Sequence, residues 1–288
     1  MKQWHDSSVI CTDMATDRIQ TQRFELKYVV REDAALAVRR FVSCYLKPDE
    51  FAASLPGNSY PVHSLYLDSE ELGTYQAVQC GEKNRFKLRI RYYNETDATV
   101  YFEIKRRTNE VISKLRAKVR RDAVEALLTG QPPQLRHLAK PDGKQLFALQ
   151  EFCRLHHKLG ASPRSHVAYR REAWMPVIGN SLRITFDRQV QCAPEFGCAL
   201  GTKFGDAVSP FERNVVLELK FIDRLPNWCG EMIRTLGLVR GGAPKYARGI
   251  ELLGEHRVSN RGVGLKVRLP DYSIPERSPA REPAVAVA

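Results

Sequence analysis

From Arg85 the chain reads Arg-Phe-Lys-Leu-Arg-Ile-Arg-Tyr92, with a basic side chain at every second position and an apolar one between. Side chains alternate across a β-strand, so this segment has one cationic and one apolar face. The same alternation returns in Tyr101-Phe-Glu-Ile-Lys105, Lys114-Leu-Arg-Ala-Lys-Val-Arg120, Arg183-Ile-Thr-Phe-Asp187 and Glu218-Leu-Lys-Phe221. Together with shorter apolar runs it predicts strands over 22–30, 62–67, 85–93, 99–106, 110–120, 164–174, 181–191 and 214–222. A rough 3.6-residue period predicts a helix over 32–46, and a second helix is expected over 144–159, ended by Gly160. Shorter helices are expected after Ser69, from Asp122 with Glu125 as a capping box up to Gly130, and from Pro226 to Leu236. Residues 49–61 read as a loop, and 194–210 as a glycine-rich excursion. Polar connections at 94–97 and 107–109 are short enough to make antiparallel hairpins. The expected fold is α+β, with about eight mostly antiparallel strands in a barrel or strongly curved sheet and helices packed on it.

Sorting the strands by parity collects Glu25, Lys27, Lys87, Arg89, Arg91, Glu103, Lys105, Lys118, Arg171, Arg183, Glu218 and Lys220 on one side. The other side holds Phe24, Leu26, Leu88, Ile90, Phe102, Ile104, Leu115, Ile184, Phe186, Leu217, Leu219 and Phe221, a core for the helices to cover. One such polar face alone is an ordinary solvated surface. Like charges on neighbouring strands repel, so a cationic face repeated over many strands is easiest to explain by a polyanion that sits there. Arginine forks match phosphate oxygens, and lysine adds a compact charge. Glu218 is the first candidate to hold a divalent cation between phosphates, since such an ion needs hard oxygen ligands.

Composition agrees with this reading. The 288 residues carry a net charge of +12, which favours anionic partners: nucleic acid, anionic membrane or phosphorylated ligands. No run of eighteen apolar residues predicts a transmembrane helix, and the N-terminus lacks the apolar stretch of a signal peptide, which makes the cytoplasm the default address. Residues 1–21 are polar and unpatterned, a loose leader; 22–255 form the patterned domain; 256–288 are expected to be a Pro-rich, disordered tail. The seven cysteines are odd in number and scattered, which fits reduced thiols. Cys153, His156 and His157 have no second ligand pair at zinc spacing and read as helix residues.

Several segments together resemble a known family. Arg23-Phe-Glu-Leu-Lys27-Tyr28, His63-Ser-Leu-Tyr-Leu-Asp68, Asn84 to Tyr93, Phe102-Glu-Ile-Lys105-Arg106, Val216-Leu-Glu218-Leu-Lys220 and Pro244-Lys245-Tyr-Ala-Arg248 stand in the order found in the VTC domain. That is the polyphosphate polymerase domain of the vacuolar transporter chaperone complex, in the triphosphate tunnel metalloenzyme superfamily. The resemblance implies an eight-stranded antiparallel β-barrel tunnel with flanking helices, which binds ATP and inorganic polyphosphate. By the same resemblance Lys27, Arg89, Arg91, Lys105, Arg171 and Arg183 would be catalytic phosphate grips. Tyr169, Lys245 and Arg248 would be substrate contacts and Glu218 would hold Mn²⁺ or Mg²⁺, while strand parity adds Lys87, Lys118 and Lys220 as further substrate contacts.

Two positions depart from the pattern. Arg23 replaces the first glutamate of the superfamily's Glu-x-Glu-x-Lys opening, a loss VTC-like members share. Ala247 and Arg248 stand where eukaryotic relatives resemble Ser-Lys. The implied activity is transfer of the γ-phosphoryl group of ATP to polyphosphate. A tripolyphosphatase or nucleoside triphosphatase, and a binding module without turnover, are the alternatives. Tyr92, Tyr93 and Tyr101 among the basic residues could stack nucleic-acid bases, but tyrosine in strands is more often packing, and nucleic acid is not expected as the partner. A separately encoded membrane partner is compatible with the basic C-terminal region.

Overall fold

The computed structural model describes residues 23–109, 111–179 and 181–259. The expected leader over 1–21 and residues 260–288 of the tail expected over 256–288 lie outside the described residues, whereas 256–259 of that tail are described and pack behind the helix over Lys245–Leu253. Among the described residues nine strands form one antiparallel sheet: β1 (Arg23–Val30), β2 (Lys47–Pro48), β3 (Ser59–Asp68), β4 (Asn84–Tyr92), β5 (Thr99–Thr108), β6 (Val111–Arg120), β7 (Ser162–Met175), β8 (Leu182–Pro194) and β9 (Val215–Ile222). Their order is β1-β9-β8-β7-β3-β4-β5-β6, with the two-residue β2 beside β7. The expected closed barrel is therefore corrected. Among the strands of the described residues β1 pairs only with β9 and β6 only with β5, so the sheet is open; along its two edge strands run isolated bridges, Tyr28 with Arg240 and Val119 with Leu138. A ladder across that seam needs strands about 4.8 Å apart. Long side chains fill it instead: Lys105 Nζ on β5 donates to Glu25 Oε2 on β1 at 3.2 Å.

Among the described residues seven helices flank the sheet: α1 (Glu32–Val42), α2 (Glu50–Ala53), α3 (Gly73–Gln79), α4 (Val124–Leu128), α5 (Gly143–Leu159), α6 (Asn227–Thr235) and α7 (Lys245–Leu253). The apolar strand parity is buried against them. Leu88, Ile90, Phe102 and Ile104 pack on Leu149, Phe152 and Leu155 of α5. Ile184, Phe186, Leu217 and Leu219 pack on Val38 and Val42 of α1 and Met232 of α6. Burying such a side chain fully contributes roughly 1.5–3 kcal/mol. Phe24, assigned to this core, is instead 41% exposed and stacks on Phe221 at the rim.

Caps set the helix limits. The Asp142 carboxylate accepts from the Lys144 and Gln145 amides to start α5, a cap the sequence reading did not single out, and the expected Gly160, at φ 58°, ends it. The capping box expected at Asp122 is not formed. A 3₁₀ turn over Arg121–Ala123 leads into α4, and Asp122 pairs with Arg120 instead. The region expected as a loop over 49–61 contains α2, a 3₁₀ turn and the first residues of β3. After α7 a 3₁₀ turn spans Glu255–Arg257, and Val258 is buried. Among the described residues no helix is long and apolar enough to cross a membrane.

α7 is the element that periodicity did not reveal. It lies on the sheet through Tyr246, Ala247, Ile250 and Leu253, and Gly249 sits directly on Cys192 of β8. A Cβ at residue 249 would come within 2.3 Å of the Cys192 sulfur, so only glycine permits this approach. Asp68 at the end of β3 fastens the assembly. Its carboxylate accepts from the Ser69, Thr74 and Tyr75 amides and the Thr74 hydroxyl, and from the Tyr246 hydroxyl on α7 at 2.8 Å.

Candidate functional site

The polar parity of all eight long strands faces one cavity of about 490 Å³, which the N-terminal end of α7 closes on one side. β1 supplies Lys27 with Glu25, β4 supplies Lys87, Arg89 and Arg91, and β5 supplies Lys105. β7 adds Tyr169 and Arg171, β8 adds Arg183, β9 adds Glu218 and Lys220, and α7 adds Lys245. These residues were expected in the site, and the fold brings them into one lining. Eleven lysines and arginines line the cavity against two carboxylates.

Lys118 and Arg248 do not line it. On β6 the cavity wall is made by Lys114 and Arg116; Lys118, two residues further along the strand, is out in solvent beside the Tyr101 ring. Arg248 points away from the sheet and pairs with Glu251. Lys245 differs because it is the first residue of α7. Helix side chains lean toward the N-terminus, and its ammonium projects beyond the helix end into the cavity.

Two groups of charges organise the wall. The first surrounds Glu103, which is completely buried. Arg89 donates to its Oε2 at 2.7 Å, and Lys114 and Arg116 reach Oε1 at 2.6 and 3.0 Å. Arg91 stands 4.0 Å away and donates to the Tyr169 hydroxyl at 3.2 Å. Burial opposes the Glu103 charge, but the four cations outweigh it and hold its carboxyl well below the usual range.

The second group surrounds Glu218 and Asp187. Arg171 grips Asp187 with two bonds of 2.6 and 2.7 Å. Lys245 lies 2.7 Å from Asp187 and 3.3 Å from Glu218, and Lys220 and Lys27 approach Glu218 at 2.9 and 3.6 Å. Burial again opposes ionisation, yet Lys220, Lys245, Lys27 and Arg171 keep Glu218 far below its ordinary pKa. Arg183 donates to Asp49 at 2.6 Å and to the Tyr60 hydroxyl.

The lysines between the groups lack enough counter-charge. Burial, then Lys105, Lys27 and Arg85, push Lys87 down to about 7. Burial and Lys27 push Lys105 down to about 8, although Glu25 and Glu218 act in the opposite direction. Glu25 itself is held at about 2, because Lys105, Lys27 and Lys220 outweigh its burial. Tyr169 is drawn down too: burial opposes its ionisation, but Arg171, Arg91 and Lys245 prevail. A bound polyanion would relieve the repulsion among these cations.

Lys114, Arg116 and Asp187 are site residues that the sequence reading did not single out. The signal for each was present, since Lys114 and Arg116 share the parity of Lys118, and Asp187 shares that of Arg183. For a metal, the donor set is sparse. Among the described residues no three His, Cys, Asp or Glu side chains stand together at ligand spacing. This fits a small hard cation that takes one or two carboxylates from protein and its other oxygens from phosphate. Glu218, ionised and facing the cavity, would hold it, with Glu25 across Lys27 as the second carboxylate.

Comparison with known proteins follows the same line. The family model described as VTC domain matches residues 22–254. Among solved structures, HpAC1 from Hippeastrum, described as having a dominant triphosphatase activity, is 15% identical with a TM-score of 0.43, covering 78% of this chain and 94% of that one. The PH1819 protein from Pyrococcus horikoshii is 14% identical with a TM-score of 0.40, covering 82% and 99%. The Mimivirus capping enzyme triphosphatase is 10% identical with a TM-score of 0.33, covering 75% and 88%. No curated protein sequence matches the chain at a significant level. With the family model running from the first strand to the end of α7, this chain belongs to the VTC domain family.

Proposed function

We propose that the protein is a polyphosphate polymerase: it takes the γ-phosphoryl group of ATP onto the end of an inorganic polyphosphate chain and releases ADP. In this step the bond from the γ-phosphorus to the β–γ bridging oxygen breaks, and a bond to a terminal oxygen of the acceptor forms. The observation that carries the reading is the imbalance of the lining, eleven cations to two carboxylates. Transfer between two polyanions needs alignment and charge neutralisation more than covalent help, and such a wall supplies both.

The carboxylates favour phosphate over water as acceptor. A general base works best with a pKa near the operating pH. Glu25, Glu103, Asp187 and Glu218 are all held below their ordinary values by neighbouring cations, so they serve poorly to activate water. Lys27, Lys220, Lys245 and Arg171 around Glu218 and Asp187, and Arg89 and Arg91 beside Glu103, with Lys105 between, would grip donor and acceptor phosphates. Tyr169 adds a hydroxyl among them. Mn²⁺ or Mg²⁺ at Glu218 would neutralise charge on the leaving phosphate.

The test is to incubate the protein with ATP and MnCl₂ and run the products on a polyphosphate gel, beside Glu218→Gln. Long chains from the parent are expected, with turnover lower by at least about a hundredfold in the variant. ADP and free phosphate without chains would replace the proposal with hydrolysis, and ATP binding without either product would make the protein a binding module.

A further inference from the structure

The polar parity of β6 does not stop at the cavity wall. Its register pairs Lys114 with Lys105, Arg116 with Glu103, Lys118 with Tyr101 and Arg120 with Thr99, so four cations stand in a row on the cavity-facing side of the strand. Lys114 and Arg116 line the cavity, whereas Lys118 and Arg120 continue the row outside it, both exposed. Alternate residues of a strand are about 7 Å apart, which makes the row roughly 20 Å long. Tyr101 runs beneath it. The Arg116 guanidinium lies 3.7 Å from that ring's centre and the Lys118 ammonium 5.9 Å from it. Arg120 pairs with Asp122, and Lys118 meets no carboxylate among the described residues.

We propose that this edge of the sheet is a second polyanion subsite, which holds the part of a polyphosphate chain that extends beyond the cavity. The inference rests on the polyphosphate reading of the cavity and adds where a long chain runs. Two features support it. The row starts inside the cavity wall and is continuous with it. Lys118 and Arg120 are exposed on that face, while the backbone edge of β6 is covered separately, the Ala139 amide donating to the Lys118 carbonyl at 2.9 Å and the Lys118 amide to Gln145 Oε1 at 2.8 Å. Edge lysines commonly serve to prevent strand-to-strand aggregation. That role requires no dependence on ligand length, and the two roles separate on this point.

The experiment compares tripolyphosphate with a chain of about 60 phosphates, by calorimetry, on the parent and on the Lys118→Glu, Arg120→Glu double variant. Both substitutions are at exposed positions, and a melting curve checks that the variant folds. The long chain is expected to bind the parent more tightly than tripolyphosphate does. In the variant its affinity should fall roughly tenfold, and its salt dependence should lose about two ionic contacts, while tripolyphosphate binding stays within about twofold. Equal long-chain affinity in parent and variant would overturn the subsite and leave the cavity reading intact. Failure of the parent to bind either phosphate would overturn the cavity reading itself. A single-stranded RNA that binds the parent as tightly as the long chain, and is lost in the variant, would reassign the row to nucleic acid.

Discussion

At the scale of single residues, Glu103 is the sharpest test of how the cavity is held together. It has no exposed surface and faces Arg89, Arg91, Lys114 and Arg116, so removing its charge leaves several cations against one wall. Breaking a buried ion pair from one side costs about 3–5 kcal/mol. Glu103→Gln is therefore expected to lower the melting temperature by roughly 10 °C. Tripolyphosphate should restore part of the loss, because phosphate oxygens replace the missing carboxylate. An unchanged melting curve would show that Glu103 is dispensable to the wall. The parity of the strands made most of these residues legible, since a period of two assigns every side chain to a face. It could not show that Lys118 lies beyond the cavity and Lys114 within it, because one face of one strand runs through both places.

At the scale of elements, α7 decides the geometry of one end of the cavity. Lys245 at its start bridges Asp187 and Glu218, and the helix is positioned by Gly249 on Cys192 and by Tyr246 on Asp68. Gly249→Ala is expected to push the helix off β8. The melting temperature should fall, and phosphate affinity with it, because Lys245 is carried out of reach. Gly143→Ala at the start of α5 is the control, since a Cβ there meets nothing within 4 Å. If both variants bind tripolyphosphate as the parent does, α7 does not position the site. The segment 245–253 is clearly amphipathic, with Tyr246, Ala247, Ile250 and Leu253 on one buried face. It is only nine residues long, about two and a half turns, and the sequence reading treats its start as a phosphate-binding motif instead of a helix. α5 was legible with its closing Gly160, which takes the left-handed region, whereas the Asp142 cap at its start was not singled out.

At the scale of the whole molecule, the cavity is poised by charge, and its behaviour with pH follows. Lys87 and Lys105 have folded-state pKa values near 7 and 8, below the 10.5 of an ordinary lysine. Between those values and 10.5 the unfolded chain binds more protons, so the free protein gains stability from these groups as pH rises through that window. Polyphosphate acts in the opposite sense. It favours the charged lysines, takes up protons on binding, and should bind more tightly at pH 6 than at pH 9. Calorimetry in two buffers of different ionisation heat would reveal that uptake, and equal affinity at both pH values would contradict it. On the acid side, Glu25, Glu103 and Glu218 are depressed below 4.5, so the stability they contribute is present above that value and lost as pH falls below it.

The sequence by itself determined which side chains share a face, the antiparallel hairpins, the apolar core and the excess of cations, because alternation and short turns are local properties of the chain. Only the tertiary structure decided that the sheet stays open between β1 and β6, that α7 closes one end, and that Glu103 and Glu218 each draw cations from several strands. Those outcomes depend on curvature and on contacts between residues far apart in the chain, such as Glu25 with Lys105 and Asp187 with Lys245, and no local pattern encodes which distant charges will meet.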